Sequence, residues 1–215
     1  MSSSPAVNGD ASTPDTGTDP ASGAAVSRGV LIHATVLLGF VNLFHALDRA
    51  AMSILIEPIK ADLGLTDTQL GLLTGFAFSL TYALFGIPLA RLADTRSRVK
   101  LLAVCLAVWS AATAVAGFAQ NFIQLALTRV VIGIGEAGGA PASVSMMGDY
   151  YTPENRSRGM SWYQLGGAAG GTLGLALVGV IADHYGWRVA FFAMGLPGVL
   201  LAIILVTTLR DPLRG

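Results

Sequence analysis

Charged residues are scarce in this chain of 215 residues. They make up 12% of it, whereas soluble domains carry about 25%. Thirteen basic and thirteen acidic residues cancel, so no net basic charge indicates a nucleic-acid partner. A single cysteine, Cys105, excludes an internal disulfide and a cysteine-cluster metal site. Because 53% of the residues are hydrophobic, the composition predicts a membrane protein that crosses the bilayer several times.

Residues 1–28 contain almost no bulky apolar side chain and are rich in Ser, Thr, Ala, Pro, Gly and Asp. Such a segment cannot bury enough apolar surface to offset the entropy of ordering, so it is predicted to be a disordered cytoplasmic tail. It also lacks the basic start of a secretory signal. The first hydrophobic run is therefore predicted to remain as a membrane span.

Six hydrophobic runs follow, each near the roughly 20 residues that a spanning helix needs. They are predicted at 31–56, 69–92, 99–119, 122–147, 159–182 and 188–209. The connections are short, and the first, 57–68, offers Asp67 as a candidate helix cap. The predicted fold class is an all-α polytopic membrane protein with six transmembrane helices, forming one domain over 29–215.

Basic residues are distributed unequally between the two predicted ends of the bundle. Nine fall on the side that carries both termini, against two on the other side, Lys60 and Arg188. Since basic residues are retained in the cytoplasm, both termini are predicted to be cytoplasmic. The protein is then a multi-pass protein of the plasma membrane, or of the inner membrane in a bacterium.

Four ionisable residues lie inside the predicted spans. Asp48 and Arg49 are in the first span, and Arg129 and Glu136 are in the fourth. Charges at this depth are costly and normally face a protein interior or a water-filled cavity. They predict a polar site in which Asp48 or Glu136 exchanges a proton with solvent. The alternative is a set of static buried pairs that lock the helices together.

Two further polar residues of the first span could extend this site. His45 is one helical turn before Asp48 or Arg49, and Asn42 is two turns before Arg49. For His45 the plainer interpretation is a hydrogen-bonded packing residue. Rows of glycine in the second and fifth spans predict close helix packing, with sliding during a conformational cycle as the functional addition.

Two enzyme interpretations compete with the transport of a solute. The segment 133–138 spells G-x-G-x-x-G, the dinucleotide fingerprint, but that motif requires a soluble strand-turn-helix context. A membrane-embedded hydrolase would need a G-x-S-x-G or H-E-x-x-H motif, and neither is present. The protein is therefore predicted not to be an enzyme, and no cofactor is predicted.

Four stretches together resemble the N-terminal six-helix half of a major facilitator superfamily transporter. The segment Gly86–Lys100 resembles the signature between the second and third helices, although Ala90 and Thr95 depart from it. The segment Arg129–Ala137 resembles the fourth-helix signature R-x-x-x-G-x-G-E-A, and Gly186-Trp-Arg188 the entry to the sixth helix. The fourth stretch, Gly166–Gly174, resembles a glycine-rich motif of antiporters, with Ala169 in place of proline.

Within this superfamily, Asp48-Arg49 together with Gly133–Ala137 is most similar to the spinster-type branch, which has been linked to lysolipid and sphingolipid export. The resemblance implies that Asp48, Arg49, Arg129 and Glu136 bind substrate and couple protons, with His45 and Asn42 beside them. It implies a gating or conformational role for a second group. That group comprises Asp94, Arg98, Lys100, Gly133, Gly135, Gly166, Gly170 and Gly171.

The resemblance implies a secondary carrier for a small organic or amphipathic solute, coupled to protons or another ion and working by alternating access. Its expected partners are that solute, the coupling ion, the lipid bilayer and a second six-helix half, supplied by further chain or by another copy. The alternative is an inactive truncated fragment or a scaffold. The substrate, the coupling ion and the choice between symport and antiport stay open.

Overall fold

The computed structural model describes residues 27–212. Within that range the chain forms six helices, each long and apolar enough to cross a membrane. We number them α1 to α6, with bounds Arg28–Leu63, Asp67–Thr95, Arg98–Ala116, Phe122–Tyr150, Arg156–Tyr185 and Trp187–Thr208. The predicted six-helix, all-α fold class is confirmed. The predicted tail, 1–28, falls almost wholly outside the described residues.

The first helix extends about two turns further at its C-terminal end than predicted. α1 continues to Leu63, so most of the predicted connection 57–68 is helical. Pro58 removes one backbone hydrogen bond inside the helix, but the neighbouring Ile59 is fully buried and keeps the helix packed. Gly64 ends the helix at a φ of 62°, a left-handed conformation that glycine adopts without steric cost.

The start of α2 corrects the prediction that Asp67 caps a helix. The cap is Thr66, whose hydroxyl accepts from the N–H of Gln69, while the Gln69 side chain accepts from the N–H of Thr66. This reciprocal pair is a capping box, which satisfies two backbone donors at once. Asp67 lies one residue later, in the first turn, and forms an ion pair with Lys60 of α1.

The first three helices and the last three make equivalent packing contacts. α1 packs mainly on α5, and α4 packs in the equivalent way on α2. α3 and α6 also pack closely on each other, and α3 packs on α4 as well. Such a pairing is the arrangement expected of two three-helix repeats of inverted topology.

Hydrogen bonds identify which segments share an end of the bundle. At the end where α1 begins, Thr35 of α1 bonds Tyr151 beyond α4 at 2.7 Å. At the opposite end, Arg188 of α6 donates to Asp62 of α1 at 2.5 Å and to the carbonyl of Ala119 at 3.1 Å. We call the first the basic end, because the connections that carry most arginines lie there.

Two hydrophobic clusters fill the bundle, one toward the basic end and one toward the opposite end. Residues 34–41 of α1 and 142–150 of α4 contribute to the first cluster. Residues 47–59 of α1 and Leu125 of α4 contribute to the second. The polar residues of the two helices lie where these clusters meet, well inside the bundle.

Candidate functional site

The four charged residues predicted inside the spans come together between α1 and α4. Asp48, Arg129 and Glu136 are buried, with exposed fractions of 4%, 3% and 0%. Arg49 differs, because 48% of its side chain is exposed. The site therefore has a closed side, formed by three buried charges, and an open side, where one guanidinium is accessible.

Asp48 and Arg129 form one half of the site. Nη1 of Arg129 lies 3.7 Å from Oδ2 of Asp48. The other carboxylate oxygen, Oδ1, accepts a 2.7 Å hydrogen bond from the hydroxyl of Thr113 on α3. Sequence reasoning missed Thr113, because a single hydroxyl in an apolar helix gives no periodic signal. Its bond fixes the orientation of the Asp48 carboxylate.

Glu136 forms the other half of the site and is held differently. Its Oε2 lies 3.1 Å from Nε2 of His45 and 3.4 Å from Nε of Arg49. Neither carboxylate oxygen of Glu136 has a partner among residues 27–212 in the distance and direction that a hydrogen bond requires. The Asp48 carboxyl also lies near enough to interact with it. Glu136 is therefore surrounded by three ionisable side chains, the imidazole of His45, the guanidinium of Arg49 and the carboxyl of Asp48.

Arg49 lies against two aromatic rings of α2. Its guanidinium carbon is 5.0 Å from the ring centre of Phe78 and 5.2 Å from that of Tyr82. Such cation–π contacts orient a guanidinium and leave its edges free for polar contacts. Phe78 and Tyr82 are four residues apart, so the sequence alone predicts that they share one face of α2. It does not predict that this face meets Arg49. Apart from Glu136, Arg49 has no polar partner in the described part of the chain.

The structure includes His45 in this site and excludes Asn42. His45 contacts Glu136 and packs edge-on against Trp109, with ring centres 6.1 Å apart. Asn42 instead donates to the carbonyl of Tyr163 at 3.0 Å and to Oε1 of Gln164 at 3.3 Å. It thereby ties α1 to α5 and does not extend the polar face.

The two glycines of the fourth-helix signature make room for neighbouring helices. A Cβ on Gly133 would lie 3.0 Å from the carbonyl oxygen of Phe78 on α2. A Cβ on Gly135 would lie 2.9 Å from Cβ of Trp109 on α3. The approach of α2 at Gly133 is what brings the aromatic rings over Arg49.

The glycines of α5 divide into packed and open positions. A Cβ on Gly166 would lie 2.8 Å from the carbonyl carbon of Gly39, and one on Gly170 would lie 2.8 Å from the carbonyl carbon of Leu43. These two positions bring α5 into backbone contact with α1. A Cβ on Gly171 would meet no atom of another described helix within 4 Å, so this position faces open space.

The residues predicted to act in gating lie at the basic end, in different surroundings. Arg98 is buried and donates to Asp149 at 2.5 Å and to Ser145 at 2.8 Å, both on α4. Lys100 and Asp94 are exposed. Arg98 therefore ties α3 to α4, while the other two remain on the surface.

Taken together, the site has two carboxyls, two guanidiniums and one imidazole. With both carboxyls ionised and the imidazole neutral, the charges cancel. One added proton or one bound anion changes that balance by a whole charge in a poorly solvated place. Among residues 27–212, no three His, Cys, Asp or Glu side chains are grouped so as to hold a metal ion.

Residues 38–215 match the family model described as Major Facilitator Superfamily. The chain belongs to the major facilitator superfamily. Among its relatives is an MFS-type efflux pump of Mycolicibacterium smegmatis, 38% identical over 84% of this chain and 42% of the relative. Another is a probable L-galactonate transporter of Escherichia coli, 31% identical over 79% of this chain and 37% of the relative.

A solved structure supports both the superfamily and the branch. It is a bacterial homologue of the human lysosomal transporter spinster, in an inward-facing and unoccupied conformation. It aligns with a TM-score of 0.80 and 33% identity over 88% of this chain and 45% of that one. The resemblance to spinster-type proteins predicted from the residues is confirmed.

The chain spans less than half the length of these relatives. The family and the relatives are transporters rather than enzymes. Membership of the superfamily and the six apolar helices together make the chain an integral membrane protein.

Proposed function

We propose that the chain is one six-helix half of a secondary carrier. It moves a small organic or amphipathic solute by alternating access against a second six-helix unit. The movement is coupled to a gradient of protons or another ion. The observation that carries the proposal is Glu136, a fully buried carboxyl that lies within 3.4 Å of both His45 and Arg49.

The surroundings of Glu136 support a role in coupling. A carboxyl with no directed hydrogen bond can gain or lose a proton without breaking one. Its two cationic or basic neighbours, His45 and Arg49, are both on α1. Protonation of Glu136 would release Arg49 from its ion pair, which links the proton to the residue on the open side.

Arg49 is the proposed contact for substrate. A guanidinium offers a planar fork of donors that suits a carboxylate or another oxyanion. The rings of Phe78 and Tyr82 beside it offer apolar surface to the rest of the solute. One relative bears the name of a transporter of L-galactonate, a sugar acid. We therefore propose an organic anion as the solute, with Asp48 and Arg129 as the supporting pair.

The second unit would cover the open side of the site. Near the aromatic pair, α2 also carries exposed apolar residues at helical spacing, at Leu80, Leu84 and Ile87. A face of this kind needs lipid or another helix against it. We place both termini in the cytoplasm, because the basic end carries most of the arginines, and the protein in the plasma membrane or a bacterial inner membrane.

The test is uptake of radiolabelled sugar acids into vesicles, with the chain alone and with a second six-helix unit present. Glu136→Gln keeps the shape of the side chain but removes its titration. It should retain substrate exchange and lose acceleration by an inward proton gradient. Glu57→Gln, the same change at an exposed position of α1, is the control. Unchanged coupling in Glu136→Gln would remove this residue from the mechanism.

The inactive fragment is the second candidate, and the half-exposed Arg49 favours it when no partner surface is present. It predicts a chain that inserts, stays monomeric in detergent and aggregates. A defined dimer, or a defined complex with a second six-helix unit, would argue against it.

A further inference from the structure

A cavity opens at the basic end, away from the charged site. Its volume is about 960 Å³, and it lies between the first half of α1, the start of α5 and the α4–α5 connection. On α1 its lining ends at Leu43, two residues before His45. No residue of the Asp48–Glu136 site contributes to it.

The depth of this cavity matches one leaflet of a bilayer. On α1 its lining runs from Arg28 to Leu43, and on α5 it runs from Arg158 to Gly166, which lies against the backbone of Gly39. Leu43 is fifteen residues after Arg28, which is roughly 22 Å along a helix. Half of a bilayer with its headgroup regions, which is about 40–45 Å thick, is about 21 Å. The cavity is thus a wedge between two helices, open at the interface and closed near the middle of the membrane.

The mouth of the wedge carries two arginines. Arg28 and Arg158 line it and are exposed. Neither has a hydrogen bond or ion pair with any residue of 27–212. The carboxylate that also lines the cavity, Asp149, is already paired with Arg98. Within residues 27–212, the mouth therefore presents two arginines whose charge no carboxylate pairs.

The walls of the wedge are apolar and accessible. Ile32, Val36 and Phe40 follow one face of α1 at four-residue spacing, and about half of each side chain is exposed. Trp162 of α5 faces the same cavity and is 59% exposed. A small soluble anion would make no use of such walls, whereas an acyl chain would cover them.

We propose that this wedge binds an anionic phospholipid of the leaflet at the basic end. The phosphate of the headgroup lies at Arg28 and Arg158, and one acyl chain lies along Ile32, Val36 and Phe40 toward Leu43. Guanidinium groups favour phosphate through charge and paired hydrogen bonds. Anionic lipids concentrate in the leaflet that faces the cytoplasm, where basic connections are also found. The lipid is a bound component of the protein, and the inference does not depend on the proposed transport activity.

The test uses the full chain in phosphatidylcholine vesicles that contain a small fraction of lipid brominated in its acyl chains. The brominated lipid has either a phosphatidylglycerol or a phosphatidylcholine headgroup. Bromine quenches tryptophan fluorescence only at close range, and Trp162 is the exposed tryptophan of the wedge. We expect the phosphatidylglycerol form to quench at a roughly tenfold lower mole fraction than the phosphatidylcholine form, since each arginine near an anionic headgroup raises the affinity several-fold. Trp162→Phe should remove this excess quenching by phosphatidylglycerol.

The matched variants separate the wedge from general surface charge. Arg28→Gln with Arg158→Gln should abolish the excess quenching, and each single change should reduce it, which keeps the test usable if the double variant folds poorly. Arg91→Gln alters an exposed arginine outside the wedge and should leave the excess intact. Equal quenching by both headgroups, or an excess that survives in the single and double variants, would overturn the proposal. So would displacement of the lipid by inorganic phosphate alone, which would indicate a site for the free ion.

Discussion

Thr113 of α3 donates a 2.7 Å hydrogen bond to Asp48 of α1. Glu136, the second buried carboxyl, has no equivalent donor among residues 27–212. The two carboxyls of the site are therefore unequal. One is fixed in orientation by a neighbouring helix, and the other is free to change partners. This inequality supports the role in coupling that we propose for Glu136.

Replacing Thr113 with valine should destabilise the protein while preserving its shape. The change removes the donor to Asp48 and leaves a buried carboxylate oxygen with less support. We expect the free energy of unfolding in detergent to fall by roughly 1 kcal/mol, as for other hydrogen bonds between membrane helices. Thr172→Val is the control, because that exposed hydroxyl donates only to its own helix, at Ala168. Equal losses in the two variants would assign no special role to Thr113.

The Asp48–Arg129 pair should behave as a coupled unit. Removing one partner leaves the other charge buried and unpaired, which in protein interiors costs about 3 to 5 kcal/mol. Arg129→Gln should therefore lower the free energy of unfolding strongly. The double variant Asp48→Asn with Arg129→Gln should be less destabilised than Arg129→Gln alone. Strictly additive losses in this double-mutant cycle would show that the two side chains do not stabilise each other.

Replacing either of two glycines of α5, Gly166 and Gly171, with alanine should change the stability of the protein in opposite directions. Gly166→Ala puts a methyl group against the Gly39 backbone and must push α1 and α5 apart, which should cost roughly 2 kcal/mol or more. Gly171→Ala adds the same methyl group in open space and should be neutral or stabilising by up to about 1 kcal/mol. Thermal unfolding of both variants in one detergent measures the difference. A similar midpoint for the two would contradict the observed helix contact.

Arg98 should hold the segment that follows α6. Its Nη2 donates to the carbonyl of Pro212 at 3.4 Å, and the neighbouring N–H of Val99 donates to Asp211 at 2.9 Å. Arg98→Gln should loosen this segment, so amide hydrogens of residues 209–211 should exchange about tenfold faster, as for the loss of one charged hydrogen bond. Lys100→Gln, an exposed change two residues away, should leave exchange unchanged. Unaltered protection in Arg98→Gln would show that the segment is held by other contacts.

The helices were predictable because membrane spans leave a strong mark in sequence. Apolar runs of about 20 residues are rare in soluble proteins, and the six runs all became helices. Their ends were less accessible to prediction. The extension of α1 to Leu63 depends on tertiary burial of Ile59, and the choice of Thr66 over Asp67 as the cap depends on the position of Gln69.

The site was predictable in its members but not in its pairings. Charges inside apolar runs point to Asp48, Arg49, Arg129 and Glu136, whatever the fold. Which base meets which acid depends on the rotation of α1 against α4, and no local pattern encodes that. Asn42 shows the limit, since its spacing matched the polar face but its side chain turned to α5.

The pairing of α1 with α4 also bears on how the protein enters the membrane. α4 is the least apolar of the six spans, and it carries both Arg129 and Glu136. Their partners, Asp48 and the pair His45 and Arg49, are on a helix that is synthesised earlier. α4 would therefore be a poor candidate for insertion by itself. During synthesis, α1 would have to stay beside the insertion machinery until α4 emerged and the charges could be neutralised in one step.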